Sequence, residues 1–398
     1  MKEHVGLSSV QIFLMALAIG LAVASNYFIF PLIEVAASQF GMNVMHSGVL
    51  ISLTQLAYAL GLIFLVPLGD VVDNKKLIVY LYAVVGVSAL LLAFAQSLWL
   101  FVAGLLLVGT FCTVAQILMP LAASLTTPQA RGRVIGTLMS GLLLGILLSR
   151  TFSGLIAQWW GWRMVYVLGA VMLLAMTLLL QWKLPKVQPI APRLSYRQTL
   201  VSVWQLLWRT SLLRQRAILG ALDFCLFSIL WTPLTLLLSH EPYHFSLSII
   251  GLFGLFGALG VFGSNVGGWA TDKGYSYVMS LICGLLFLCS WVLLYVGGVH
   301  LWALIAGVVL LDFAIQALHI TNQTLIYRSD PALKGRIASG YMSMYFIGGV
   351  LGSLSSAMAY AYYKWTGVSV LGLAIAGLIL LLALIFKTSQ MNELNITI

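Results

Sequence analysis

The chain has 398 residues, 61% of them hydrophobic and only 8% charged, with mean hydropathy +1.04 and a formal net charge of +10. A soluble domain carries roughly 25% charged residues, so no soluble fold of this length hides so much apolar surface, and the bilayer must be the solvent for most of the chain. The basic excess sorts by membrane topology, as set out below, and so does not imply a nucleic-acid partner.

A membrane span needs about 20 mostly apolar residues. Such stretches fall at 9–35, 45–69, 77–96, 99–124, 134–158, 163–183, 215–239, 247–271, 276–298, 301–326, 336–361 and 366–386, which predicts an all-α membrane protein of twelve spans. Met1–Ser8 runs straight into the first apolar stretch with no small-residue cleavage site, the pattern of a retained span rather than a signal peptide. Connections are short except 184–214.

With an even number of spans and the N-terminus inside, Lys2, Lys75, Lys76, Arg131, Arg133, Lys183, Lys186, Arg193, Arg197, Arg209, Arg214, Arg216, Lys273, Arg328, Lys334, Arg336 and Lys387 fall on the cytoplasmic side. Only Arg163 and Lys364 fall outside, and Arg150 lies within a span. Seventeen of twenty on one face satisfies the positive-inside rule. The expected location is the bacterial inner membrane, with both termini cytoplasmic.

Taken in chain order, the first span offers Asn26 and Tyr27 as hydrogen-bonding groups, with Glu34 near its outer interface. Gly69-Asp70 ends the second span, and Lys75 and Lys76 follow. The fourth span carries Gln116, and Arg131 and Arg133 follow it. Arg150 stands in the fifth span, where it binds an anionic substrate group, pairs with Asp223 or Asp312, or snorkels to the outer interface.

The linker 184–214 holds Pro185, Pro189 and Pro192. Over Leu200–Leu212 it repeats Leu200, Trp204, Leu207 and Trp208 at helical spacing, which fits an amphipathic helix on the inner leaflet or a plain tether.

The seventh span carries Asp223, with Phe227 and Trp231 as an aromatic wall or core packing. Asp272 and Lys273 end the eighth, and Lys334 and Arg336 follow the tenth. In the tenth, Asp312, Gln316, His319 and Gln323 share one helical face, with Asn322 beside them.

An ionisable residue inside a membrane costs about 2.5–3.5 kcal/mol on insertion scales and is a functional candidate by default. A carboxylate moving between a dry site and a cationic neighbour can carry a proton, which nominates Asp312 first, then Asp223. His319 has a reference pKa close to neutrality and is a third proton-coupling candidate. A stripe that only hydrogen-bonds to neighbouring helices is the structural alternative.

Cys112, Cys225, Cys283 and Cys289 all sit in apolar segments without metal-site spacing, and the six histidines cluster only at His240 and His244, beside Glu241 in a loop. No metal or cofactor is expected.

The chain repeats itself. Pro128-Gln-Ala-Arg131-Gly132-Arg133 matches Pro331-Ala-Leu-Lys334-Gly335-Arg336 at an offset of 203 residues, and Gly145 matches Gly348. Asp70 matches Asp272 at 202. Two parallel halves are predicted, 1–183 and 215–398, joined by 184–214. Such repeats place a substrate site between them near the bilayer midplane. Gly141/Gly145, Gly263/Gly267 and Gly348/Gly352 are small-x3-small pairs that allow close helix approach, either for rocking of the halves or for simple packing.

Pro67-Leu-Gly-Asp70-Val-Val-Asp73-Asn-Lys75-Lys76 resembles the loop between spans two and three of the major facilitator superfamily, with Asp70 at its Asp and Lys75 and Lys76 at its basic pair. Gly268-Trp-Ala-Thr-Asp272-Lys273 resembles the second-half copy. Gln55 to Gly61, Ser140 to Gly154 and Asn322-Gln323 are similar to the bacterial drug:proton antiporter branch. Many of those carry an arginine four residues before a glycine in the fourth span, where this chain has Leu105 before Gly109.

The resemblance implies a transporter, not an enzyme, in which spans one, four, seven and ten line the cavity. It also implies a cytoplasmic gate built from Asp70, Lys75, Lys76, Arg131, Arg133, Asp272, Lys273, Lys334 and Arg336. Arg150, Asn26, Tyr27, Gln116, Gln316, Asn322, Gln323 and Trp231 are then the substrate-binding candidates. The expected activity is alternating-access movement of a small solute, by proton-coupled efflux, in a monomer whose partners are solute, protons and lipid. A nutrient importer or uniporter, and a membrane-embedded sensor or enzyme, are the rival readings.

Overall fold

A chain surrounded by hydrocarbon must satisfy its backbone internally, which leaves helices as the economical answer. The computed structural model describes residues 7–42, 47–185, 195–329 and 334–386, and these contain helices and no strand. The α-helices run in the order α1 (Ser9–Tyr27), α2 (Ile29–Gln39), α3 (Gly48–Phe64), α4 (Asn74–Ala93), α5 (Leu98–Phe111), α6 (Ala115–Ser124), α7 (Pro128–Trp160) and α8 (Trp162–Lys183). They continue with α9 (Tyr196–Arg209), α10 (Ser211–Ser239), α11 (Leu247–Ala258), α12 (Val261–Asp272), α13 (Ser276–Val296), α14 (Leu301–Ser329) and α15 (Lys334–Ile385).

Eleven stretches among the described residues are long and apolar enough to cross a bilayer. The last, Arg336–Ile385, has 50 residues. At 1.5 Å per residue it would extend about 75 Å, far beyond a hydrocarbon core of about 30 Å. It turns at Lys364, where φ is +53°, so it supplies two arms and the expected twelve spans are reached.

Several spans are broken, each for a local reason. Pro31 has no N–H to offer Tyr27, and the first span divides at Phe28 into α1 and α2. The eighth divides at Leu259–Gly260 into α11 and α12. After α3, Val66–Asp70 is a 3₁₀ turn containing Pro67. Asp73 caps α4 by accepting the Lys76 N–H at 3.1 Å. The linker helix starts earlier than its apolar spacing suggests, because Ser195 and Gln198 form a capping box ahead of α9.

Helix packing repeats along the chain. Gly141 and Gly145 of α7 lie against Ala16 and Gly20 of α1, as Gly348 and Gly352 of α15 lie against Ala221 and Cys225 of α10. Gly61 of α3 faces the Thr110 carbonyl of α5, and Gly263 of α12 faces the Phe313 carbonyl of α14. Gly61 and Thr110 recur as Gly263 and Phe313 at 202 and 203 residues, and Gly145 recurs as Gly348 at 203, whereas Gly141 and Gly352 have no glycine at that offset.

The small-x3-small pairs therefore serve crossings within each set of six spans and do not form a sliding surface between the sets. Gly348→Leu is expected to drive a side chain into the Ala221 backbone and cost about 1–3 kcal/mol, the usual overpacking penalty. A melting curve in detergent checks this, with Gly136→Leu as control, since nothing lies within 4 Å of a Cβ there. Equal losses in both variants would contradict the packing argument.

The first and second six spans meet chiefly at the end away from α9. There Gly154 of α7 crosses Gly251 of α11, and the Thr151 hydroxyl donates to the Gly251 carbonyl at 3.2 Å. Ser52 of α3 bonds Ser353 of α15 at 2.8 Å, and Thr235 of α10 donates to the Phe30 carbonyl of α2 at 2.9 Å. Exposed Trp99, Trp159, Trp302 and Tyr362 ring this far end, and Trp182, Trp208 and Trp269 the α9 end, as interfacial aromatic belts do.

Candidate site between the two sets of spans

Arg150 comes from the middle of α7 and is only 5% exposed, so it does not snorkel to the outer interface. Its guanidinium lies 3.5 Å over the Trp231 ring, 5.3 Å from Phe30, 5.5 Å from Phe227 and 5.7 Å from Tyr27. Four aromatic rings from α1, α2 and α10 thus box one cation. A desolvated cation–π contact is worth about 2 kcal/mol, so the box offsets part of the burial cost. Nε and Nη2 of Arg150 have no hydrogen-bond partner among the described residues.

The same indole reaches the opposite charge. Trp231 Nε1 donates to Asp312 Oδ1 at 3.3 Å. Asp312, 6% exposed, sits in the notch where the eighth span breaks: a Cβ on Gly260 would fall 2.8 Å from the Asp312 carbonyl oxygen. Guanidinium, indole and carboxylate thus stack across the contact between the two sets of spans. Of the two pairings expected for Arg150, the neighbour is Asp312.

Beside them runs an aromatic wall. Tyr58 of α3 packs on Phe346 of α15 with centroids 4.2 Å apart, Phe346 on Phe224 at 4.9 Å, and Phe224 on Phe227 at 5.3 Å. A small cavity lined by Phe30, Pro31, Arg150, Trp231, Thr235 and Ile250 has room for about one water. That cavity admits nothing larger.

The remaining candidates divide. Asn26 is buried on α1, and Gln116 and Gln316 are half-buried on α6 and α14. His319 Nδ1 lies 3.1 Å from the Tyr341 hydroxyl, and Gln323 Nε2 donates to the Met342 sulfur at 3.6 Å. Asn322 turns away from that stripe and accepts from Arg216 Nη1 at 3.1 Å. Asp223, fully buried on α10, has no hydrogen bond to either oxygen among the described residues.

At the α9 end, Lys75 Nζ donates to the Leu184 carbonyl at 2.7 Å, tying the first turn of α4 to the exit of α8. Lys76, Arg133, Asp272 and Lys273 are exposed and Arg336 is half-buried. The side chains of Asp70, Arg131 and Lys334 lie outside the described residues.

Sequence reasoning missed two features. Arg216, grouped with the cytoplasmic basic residues, is in fact fully buried within α10, because that helix begins at Ser211. It donates to Ser280 Oγ at 2.8 Å as well as to Asn322. The hydroxyl cluster of Ser52, Ser353 and Thr232, with Thr232 Oγ1 3.0 Å from Ser353 Oγ, also went unnoticed, since single hydroxyls in apolar runs carry little pattern. Ser353 is nonetheless the repeat partner of Arg150.

The family model for the Major Facilitator Superfamily matches residues 15–353. The chain is 45% identical over 375 residues to "Uncharacterized transporter YgaY" of Escherichia coli O157:H7, covering 94% of this chain and 95% of that one. It is 34% identical to a protein of Streptomyces coelicolor named as a probable transporter, covering 89% and 82%. Among solved structures, a bacterial homologue of the human lysosomal transporter Spinster, inward-facing and occupied, superposes with TM-score 0.75 at 15% identity over 94% of this chain and 96% of that one.

Proposed function

Because the chain belongs to the Major Facilitator Superfamily, we propose that this multi-pass membrane protein exports a small solute across the bacterial inner membrane in exchange for protons. The halves 1–183 and 215–398 rock about the site between them, and 184–214 ties them together on the cytoplasmic side. The single observation behind this reading is the stack of Arg150, Trp231 and Asp312.

Each member has a distinct task. Arg150 offers two unsatisfied nitrogens, Nε and Nη2, to an acceptor on the solute, such as a carboxylate or carbonyl. Asp312 takes the proton, and its charge state reaches Arg150 through the shared indole. An ionised Asp312 accepts from a donor group on the solute while Arg150 holds its acceptor. A protonated Asp312 loses that acceptor oxygen, which weakens solute binding. Proton and solute then compete for Asp312, which is the requirement for exchange.

Tyr27, Asn26, Gln116, Gln316 and Gln323 add orientation along the path. Contacts concentrated at the far end and the small cavity there fit a state open on the α9 side. Asp70, Lys75, Lys76, Arg131, Arg133, Asp272, Lys273, Lys334 and Arg336 close that side in the other half of the cycle.

Solute-driven proton flux in proteoliposomes, across a mixed solute panel, tests the reading. Wild type is expected to move protons with a solute, and Asp312→Asn to lose proton movement while still binding it. Solute movement without any proton flux in wild type would leave a facilitator on the same fold.

A further inference from the structure

The contact of α3, from the first set of spans, with α10 and α15 of the second is built in layers one helical turn apart. Ser52, Thr232 and Ser353 form the layer farther from α9, joined by hydroxyl bonds of 2.8 and 3.0 Å. Tyr58, Phe224 and Phe346 form the layer nearer α9, a run of rings with centroids 4.2 and 4.9 Å apart. Register leaves one layer between them. On α3 it holds Gln55, three residues from both Ser52 and Tyr58 and hence on the face they share. On α10 it holds Ser228, four residues from Phe224 and from Thr232. On α15 it holds Gly349, three residues from Phe346 and four from Ser353. A Cβ on Gly349 would stand 3.3 Å from Ser228 Oγ and 2.5 Å from the Phe224 ring, so α10 and α15 close on each other at this level.

The middle layer is polar, buried and unpaired. Gln55 and Ser228 are each 1% exposed. Both amide atoms of Gln55 and the Oγ of Ser228 nonetheless lack a hydrogen-bond partner among the described residues. A glutamine amide donates from its nitrogen and accepts at its oxygen, and leaving buried capacity unmade costs more than an average bond gains. The flanking layers carry no such defect, since the hydroxyls on one side bond each other and the rings on the other have hydrocarbon to bury. Once α3 moves away from α10 and α15, the amide and the hydroxyl gain partners from whatever water or solute enters. Groups orphaned in one arrangement and satisfied in another shift the balance toward the second.

We infer that Gln55 and Ser228 are a spring built into the contact between the two sets of spans: their unpaired atoms disfavour the closed arrangement and set how readily α3 parts from α10 and α15. The inference rests on the alternating-access reading above, but it involves neither Arg150, Asp312 nor a proton. Its placement beside the hydroxyl layer gives it a counterweight. The bonds among Ser52, Thr232 and Ser353 hold the contact shut, while Gln55 and Ser228, one turn away, press it open. Opposed contributions of similar size leave neither arrangement dominant, which a carrier that visits both requires.

Ser52→Cys, in a chain whose exposed Cys289 is replaced by serine and whose other cysteines stay buried, reports the opening. A charged, water-soluble thiol reagent reaches position 52 only when the contact parts, and its labelling rate is read in lipid nanodiscs. Gln55→Met keeps the side-chain length and removes both polar atoms. It is expected to slow labelling by roughly tenfold or more and to raise the melting temperature. Ser228→Ala is expected to slow labelling about fivefold, and it carries the test should Gln55→Met fail to insert. Labelling of the inserted variant at the parent rate or faster would overturn the inference. A parent that labels while solute moves no protons would overturn the coupling reading and leave the spring standing. A parent that never labels would mean that the contact is permanent, and would remove both the spring and the opening at this end.

Discussion

Arg150→Ala is expected to lower solute flux in proteoliposomes by roughly 100-fold at matched protein content. Hydrogen bonds from a charged guanidinium to a bound solute are worth about 1.5–3 kcal/mol, and each 1.4 kcal/mol is about tenfold in affinity. The loss arises because Asp312 and four aromatic rings then surround a void where a cation belonged. Arg150→Lys keeps the charge but not the flat fork that lies on Trp231, and is expected to fall between the two. Trp231→Phe keeps a ring under the guanidinium and deletes only the N–H to Asp312, a change of about 1 kcal/mol. That ranking, alanine worst and phenylalanine at Trp231 mildest, is what the stack requires. Wild-type flux in Arg150→Ala, with the variant monodisperse in detergent, would remove Arg150 from the solute path.

The number of spans was legible because hydropathy is a length measurement, and a bilayer sets the length. The repeat was legible because two basic loops lie at one offset. What the repeat could not reveal is where the halves differ. Gly20 of α1 is a close-crossing residue against Gly145, and its counterpart at the offset of 203 is the buried carboxyl of Asp223. Gly109 likewise corresponds to Asp312, and Phe13 to Arg216. The basic loops recur and the charges do not: three of the four buried charges discussed above, Arg216, Asp223 and Asp312, lie after residue 214.

Spacing also gives a face of a helix and not the neighbour that covers it. His319 and Gln323 both reach α15, at Tyr341 and Met342, yet Asn322, one residue away, turned to Arg216. The glycine pairs show the same limit: small-x3-small spacing announced close crossings, but only the packing reveals that they lie within each set of spans. Arg216 was misplaced for a different reason. A positive residue near a predicted span end is counted as cytoplasmic, and helix α10 extends four residues before the apolar run starts. Its guanidinium is consequently buried among α13, α14 and α15 rather than solvated.

Alternating access makes a demand on the far end that can be met or refused by one covalent bond. Ser52 and Ser353 touch through their hydroxyls at 2.8 Å, and both side chains are buried. They belong to helices of opposite halves. Cysteines at these positions would place their sulfurs near bonding distance, within the narrow geometry a disulfide accepts. In a background with the exposed Cys289 replaced by serine, and Cys112, Cys225 and Cys283 left buried, Ser52→Cys/Ser353→Cys is expected to cross-link on oxidation. Transport should then fall to the level of empty liposomes and return with a reductant, while each single cysteine variant stays active. The reason is mechanical: α3 and α15 must part there for the far side to open, and a closed, tightly packed interface has two discrete arrangements rather than a continuum. Full cross-linking with undiminished flux would mean that this contact persists through the cycle, and the opening would have to be sought at α7 and α11, where Gly154 crosses Gly251.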